Sequence, residues 1–212
     1  LLFTGDVWEA TLLYSQVDYD FKNDPLGHLA KYKNARLSYF IGEFNWAKAQ
    51  LDVLKAATSK LIANDAMDLS LLISDNIDMD SSYTALSYYA NAELLAYRNK
   101  NDEALKVLDS IQTVALWHPL HDEVLFKKAE IYIDQGKFET ADTLLSKVVE
   151  MYPEDILADN ALMMHAELYD RQFGDVSKAM ELYEKLMMDY PGSLFVVEAR
   201  KRFREMRGDM VN

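Results

Sequence analysis

Residues 128–153 read KAEIYIDQGKFETADTLLSKVVEMYP, and this stretch decides the fold. Gly136 sits where a first helix would end, because Gly takes the left-handed cap conformation without steric cost. The chain then reverses, and Ala141 is small enough to let a second helix approach the first. Behind it, Leu144, Leu145 and Val148 fall three or four residues apart, which is one buried stripe of a helix. Pro153, after Tyr152, closes the unit, since Pro cannot continue a helix. The stretch is a helical hairpin.

Outward from it, the same short pattern recurs: a turn residue, an apolar residue two positions later, and Ala five later. The other instances are Gly5/Val7/Ala10, Gly42/Phe44/Ala47, Asn99/Asn101/Ala104 and Gly174/Val176/Ala179, with Asn101 polar. Asn99 stands where the others have Gly, and Asn is the next-best left-handed residue. Twelve positions before the Ala stands a second small residue, Ala35, Ala92 or Ala129, expected to face it across the hairpin. Ala166 is displaced by one, which points to a one-residue insertion in the turn Asp170–Gly174.

Successive Ala markers lie 37, 57, 37 and 38 residues apart. The second interval is too long by a helix. Its surplus lies within Ser59–Ser82, where Asn64 or Asp65 can cap an extra helix running through Leu72, and Asp80 or Ser81 can cap the next. The expected architecture is one all-α repeat domain over 1–212: a half hairpin at 1–24, a repeat at 25–58, an inserted helix at 59–81, repeats at 82–116, 117–154 and 155–192, and a capping helix at 193–212. The first unit has only a second helix, Asp6 to Val17, and Leu1-Leu2-Phe3-Thr4 lacks an initiator Met and a basic leader. The sequence is therefore expected to begin inside a hairpin, with further repeats upstream.

Composition narrows the function. Twenty-two Lys and Arg against thirty-five Asp and Glu give a formal charge of −13, which repels nucleic-acid phosphates, so no nucleic-acid partner is expected. With no Cys, disulfide frameworks, thiolate metal sites and cysteine nucleophiles are excluded, and no apolar run approaches the roughly 18–20 residues of a transmembrane helix. No phosphate-cradling Gly loop, His-Glu-x-x-His or Gly-x-Ser-x-Gly is present, so no catalytic residue and no cofactor is expected. The Asn76/Asp78/Asp80 spacing lacks the Gly and the bidentate Glu of a calcium loop, and Pro119 between His118 and His121 argues against a shared helical face for zinc. No metal site is expected. From Leu61 to Tyr97 there is no Lys or Arg, and within this acidic stretch helix caps and a solvated loop explain Asn76, Asp78 and Asp80.

Lys128-Ala129-Glu130-Ile131-Tyr132, Gly136-Lys137-Phe138 and Ala141 through Tyr152-Pro153 resemble the tetratricopeptide repeat family. The likeness extends with variations over nearly the whole chain. It implies a right-handed superhelical solenoid of antiparallel hairpins that binds proteins and is not an enzyme. Tyr190-Pro191-Gly192-Ser193 followed by Ala199 is most similar to bacterial cell-envelope members, such as outer-membrane assembly lipoproteins and the Tol-Pal-associated periplasmic type. A periplasmic or outer-membrane-associated location follows from that likeness, with the cytoplasm as the alternative.

In that family the second, fifth, ninth and twelfth residues of each first helix line the concave face. Carried over here, the rule selects Tyr32, Arg36, Tyr39, Tyr89, Glu93, Phe126, Glu130, Met163 and Glu167. Position nine reads Arg36, Glu93, Glu130, Glu167 and, after the last hairpin, Arg200: a carboxylate stripe flanked by arginines. Position five reads Tyr32, Tyr89, Phe126, Met163. Together they are expected to form a groove for a basic protein or peptide segment, the aromatics anchoring and the charges setting register. Two other readings compete: a small-ligand or glycan receptor stacking on Tyr32, Tyr39, Tyr89 and Phe126, and plain packing aromatics beside a solvated Glu face. Arg200, Lys201, Arg202, Arg204 and Arg207 near the C-terminus read as a solvating cap that complements the helix dipole.

Overall fold

The computed structural model describes residues 6–57, 60–76, 83–114 and 119–209. Every regular element among them is helical: α1 Val7–Asp20, α2 Pro25–Phe40, α3 Phe44–Ala57, α4 Lys60–Asp75, α5 Thr84–Tyr97, α6 Asn101–Val114, α7 His121–Asp134, α8 Phe138–Met151, α9 Ala158–Leu168, α10 Val176–Asp189 and α11 Val196–Arg207. A π-helical turn at Tyr169–Phe173 extends α9. None of these helices is long and apolar enough to cross a membrane. Gly5, Ser59, Asp78, Asp80, Ser81, Ser82 and His118, named above, lie outside the described residues.

The chain divides into two compact units, Leu1–Leu120 and His121–Asn212. In the first, α1 packs on α2, α2 on α3, α3 on α4 and α5 on α6, with α2 also touching α4 and α5. In the second, each of α7 to α10 packs on its successor. This consecutive pairing is that of helical-repeat proteins.

The recurring small residues explain the pairing. Ala35, Ala47, Ala92, Ala104, Ala129, Ala141, Ala166 and Ala179 are all 0% exposed. Behind them Leu51, Leu54, Leu108, Ile111, Leu145, Val148 and Leu186 are buried as well, which is the stripe expected of second helices. The turns follow the same logic. Gly42, Asn99 and Gly136 have φ of +84°, +59° and +71°. The next residue's N–H then reaches back five positions, Glu43 to the Ser38 carbonyl (2.9 Å), Lys100 to Leu95 (2.9 Å) and Lys137 to Tyr132 (2.8 Å). That is the Schellman closure, which satisfies carbonyls left open at a helix end.

In the last hairpin the inserted residue is absorbed by the π turn. Asp175 N–H reaches back six positions, to the Tyr169 carbonyl at 3.1 Å, while Gly174 keeps the left-handed φ of +68°. One extra residue in a helix is accommodated as an i→i+5 turn, and this is why Ala166 stands one position early yet remains fully buried.

The inserted helix is longer than expected. Whereas the sequence places it from Asn64 or Asp65 to Leu72, α4 runs from Lys60 to Asp75, so Asn64 and Asp65 lie inside it and neither caps it. It is pinned to α3 through Ser70, whose hydroxyl donates to Asp52 Oδ1 (3.0 Å) and accepts from Lys55 Nζ (2.8 Å), while Lys55 (2.8 Å) and Lys48 (3.0 Å) pair with Asp52 along α3 itself. Lys55, then Lys48, hold the Asp52 carboxyl down to about 2. The first helix likewise outruns its expected end at Val17 and stops at Asp20, capped at its start by the Asp6 side chain. Asp24 and Asp175 cap α2 and α10 in the same way.

Candidate functional site

The residues expected on the partner-binding face separate by depth. Tyr39 (0% exposed), Tyr89 (4%), Phe126 (8%) and Met163 (7%) are buried. Phe126 and Met163 belong to the core of the second unit, with Leu145 and Leu162. These four are packing residues, and their apolar surface is not open to a partner, which corrects the expectation that they anchor one. Position nine behaves differently, because a long charged side chain buries its stem and keeps its head in water. Arg36, Glu93, Glu130 and Glu167 are all partly exposed, as is Tyr32.

In the first unit several of these residues meet. The Tyr39 hydroxyl donates to Glu93 Oε2 at 2.8 Å, joining α2 to α5. Burial, reinforced by Glu93, pushes the Tyr39 hydroxyl far above its ordinary range, so it stays a donor. Tyr39 thus positions Glu93 from beneath. The Arg36 guanidinium lies over the rings of Phe40 (5.2 Å) and Tyr97 (5.8 Å), a cation–π seat that fixes where its charge is displayed.

Sequence reasoning misses what α4 adds here. Burial raises the Tyr32 hydroxyl, Arg36 opposes that, and Asp65, Glu93 and Asp68 reinforce it. Asp65 and Asp68 therefore stand within electrostatic reach of Tyr32 and are exposed on α4. The charge pattern of Leu61–Tyr97 is the available signal, but spacing alone gives no reason to bring α4 beside α2.

In the second unit the position-nine carboxylates pair along their own helices. Glu130 pairs with Lys127, and Glu167 with Arg171 at 2.9 Å. Close by, the buried Tyr183 hydroxyl donates to Asp170 Oδ2 at 3.2 Å. Arg200 is exposed on α11. Met163, Met164 and Met187 pack in or against the core, whereas Met188 is 75% exposed. His165 on α9 is buried and bonds Asp142 of α8 through Nε2 at 2.6 Å, a polar tie between the two hairpins.

No curated protein matches the chain. Among solved structures it is similar to nearly identical TPR-like repeats of a putative kinesin light chain from Podosopora anserina, with 18% identity, a TM-score of 0.50, and 84% of this chain and 86% of that chain covered. A single-substitution form of that protein gives 16% identity and a TM-score of 0.48, covering 84% of this chain and 92% of that chain. The MamA RS-1 ArsTM double mutant gives 17% and 0.45, covering 89% of this chain and 88% of that one. The first of these likenesses, at 18% identity, is one of fold alone. In the second unit, residues 123–155 and 160–193, which hold the α7–α8 and α9–α10 hairpins, match the tetratricopeptide repeat family.

Proposed function

We propose that the chain is a tetratricopeptide-type protein-interaction scaffold along its whole length, and that position nine of its first helices displays charges to a basic protein or peptide segment. One observation carries this reading: of the four positions that the family rule selects, only position nine places a charged, partly exposed side chain on every first helix, at Arg36, Glu93, Glu130 and Glu167. The support beneath those heads favours preorganisation. Tyr39 holds Glu93 and two aromatic rings seat Arg36, so little side-chain entropy remains to be lost on binding. Asp65 and Asp68 enlarge the acidic field around Tyr32.

Burial of Tyr39, Tyr89 and Phe126 weighs against a glycan or small-ligand receptor, which would keep only the partly exposed Tyr32 of its four stacking rings on this face. Fold and sequence favour a non-catalytic role. The Tyr152-Pro153 and Tyr190-Pro191 endings support a place in the bacterial cell envelope, periplasmic or outer-membrane-associated.

The test is charge reversal. Glu93→Arg and Glu130→Arg, alone and together, should weaken retention of a basic partner by the full-length protein, and retention by wild type should fall as salt rises from low to high. Equal retention by the variants, at unchanged thermal stability, would reject position nine as the contact surface.

A further inference from the structure

The first unit contains an open cleft of about 500 Å³ lined by residues of α1, the turn after it, α2 and α3. Its charge runs against the rest of the molecule. Lys22, His28 and Lys31 line it, with Asp18 as the lone carboxylate, in a chain whose formal charge is −13. Asp18 is only loosely engaged, its oxygen 3.8 Å from Lys31 Nζ. Lys22 and His28 carry no side-chain partner among the described residues. Two ammonium groups against one carboxylate leave the cleft with a net positive charge, which favours an anion, placed toward Lys22 and away from Asp18.

The remaining walls define the rest of the ligand. Ser15 accepts a hydrogen bond from Asn34 Nδ2 at 3.1 Å, which leaves its hydroxyl proton free to donate. Val53 and Leu54 of α3 form an apolar side, with Val53 54% exposed, and the Tyr19 ring stands 82% exposed at the rim. Such a cleft suits a ligand with an anionic head and a flat apolar body, the ring of Tyr19 offering a stacking surface.

We propose that this cleft binds a small phosphate monoester with an apolar or aromatic body, the phosphate held between Lys22 and Lys31 and the body against Val53 and Tyr19. The dianion of such an ester engages two lysine point charges and the serine hydroxyl, and its body covers the apolar wall. This site does not depend on the peptide-binding reading.

Phenyl phosphate, inorganic phosphate and phenol, each titrated into the intact chain while the His28 ring protons are followed by NMR, test the proposal. The expected result is a saturable shift with phenyl phosphate, a weaker one with inorganic phosphate and none with phenol. Lys22→Glu, at an exposed turn position, should weaken phenyl phosphate at least tenfold without altering the helical circular dichroism. Val53→Asp should abolish the preference for the ester over inorganic phosphate. Absence of a saturable shift, or one unaffected by Lys22→Glu, overturns the site. Equal binding of inorganic phosphate by wild type overturns the assigned ester, and equal binding of phenol overturns the anionic head.

Discussion

Replacing Ala141 by Leu tests the close helix contact from which the hairpins are built. Ala141 is 0% exposed on α8, and Ala129 on the facing helix α7 is equally buried, so three added carbons have no open space to enter. Overpacking of this kind costs about 1–3 kcal/mol. For a chain of this size each kcal/mol lowers the melting temperature by roughly 2–4 °C, so a loss of about 4–12 °C is expected for a cost near the upper half of that range. The control is Thr140→Leu, one residue earlier and exposed, where a surface substitution should stay within about 0.5 kcal/mol. Thermal unfolding followed by far-ultraviolet circular dichroism reads both variants under one condition. If Ala141→Leu melted with Thr140→Leu, the helices would not be in close contact at this point, and the spacing of small residues would have another cause.

Two further outcomes follow from the turns and from the buried histidine. Gly136→Ala meets no atom within 4 Å, so its whole cost is the backbone φ of +71°, about 1–2 kcal/mol in urea unfolding, whereas Gly192→Ala, also unobstructed and without a positive φ, should be near neutral. Burial lowers His165 below its ordinary 6.5, outweighing the Asp142 hydrogen bond, with Lys178 and Lys185 adding to the depression. The unfolded chain then takes up that proton first, so the contribution of His165 is fully present above 6.5 and declines as pH falls below it toward the folded value. Urea midpoints between about pH 5 and 8 should show this slope in wild type and a flatter one in His165→Gln. A slope of the opposite sign would mean that Asp142 dominates.

What the sequence reveals and what it conceals have different physical origins. The hairpins are legible because their determinants are local: a left-handed turn residue, small residues at fixed offsets and an apolar stripe all act within one repeat. Asn99 illustrates this, since its φ of +59° is what its place among the Gly positions implies. Even the extra residue near Asp170 is readable as a shift of one, although its resolution as a π turn depends on which carbonyls are free to accept. The face that meets a partner is less legible. Tyr39, Tyr89, Phe126 and Met163 obey the family spacing, but spacing gives a direction around a helix and not a depth, and depth depends on which neighbours cover it. The Asp65 and Asp68 charges near Tyr32, and the basic cleft under Lys22 and Lys31, arise where three or more helices meet, and no single stretch of sequence records that meeting.

Because the chain contains no Cys, one cross-link tests the contact between paired helices most directly. Ala129→Cys combined with Ala141→Cys should form a disulfide under mild oxidation in the folded protein, since a native bridge needs Cα atoms roughly 4.4–6.8 Å apart. Ala129→Cys combined with Thr140→Cys, whose side chain points to solvent, should not. Rapid, near-complete bridging of the first pair alone is the expected result. Failure of that pair to bridge while the protein remains folded, or equal bridging of both pairs, would contradict the close pairing of α7 and α8 through their recurring alanines.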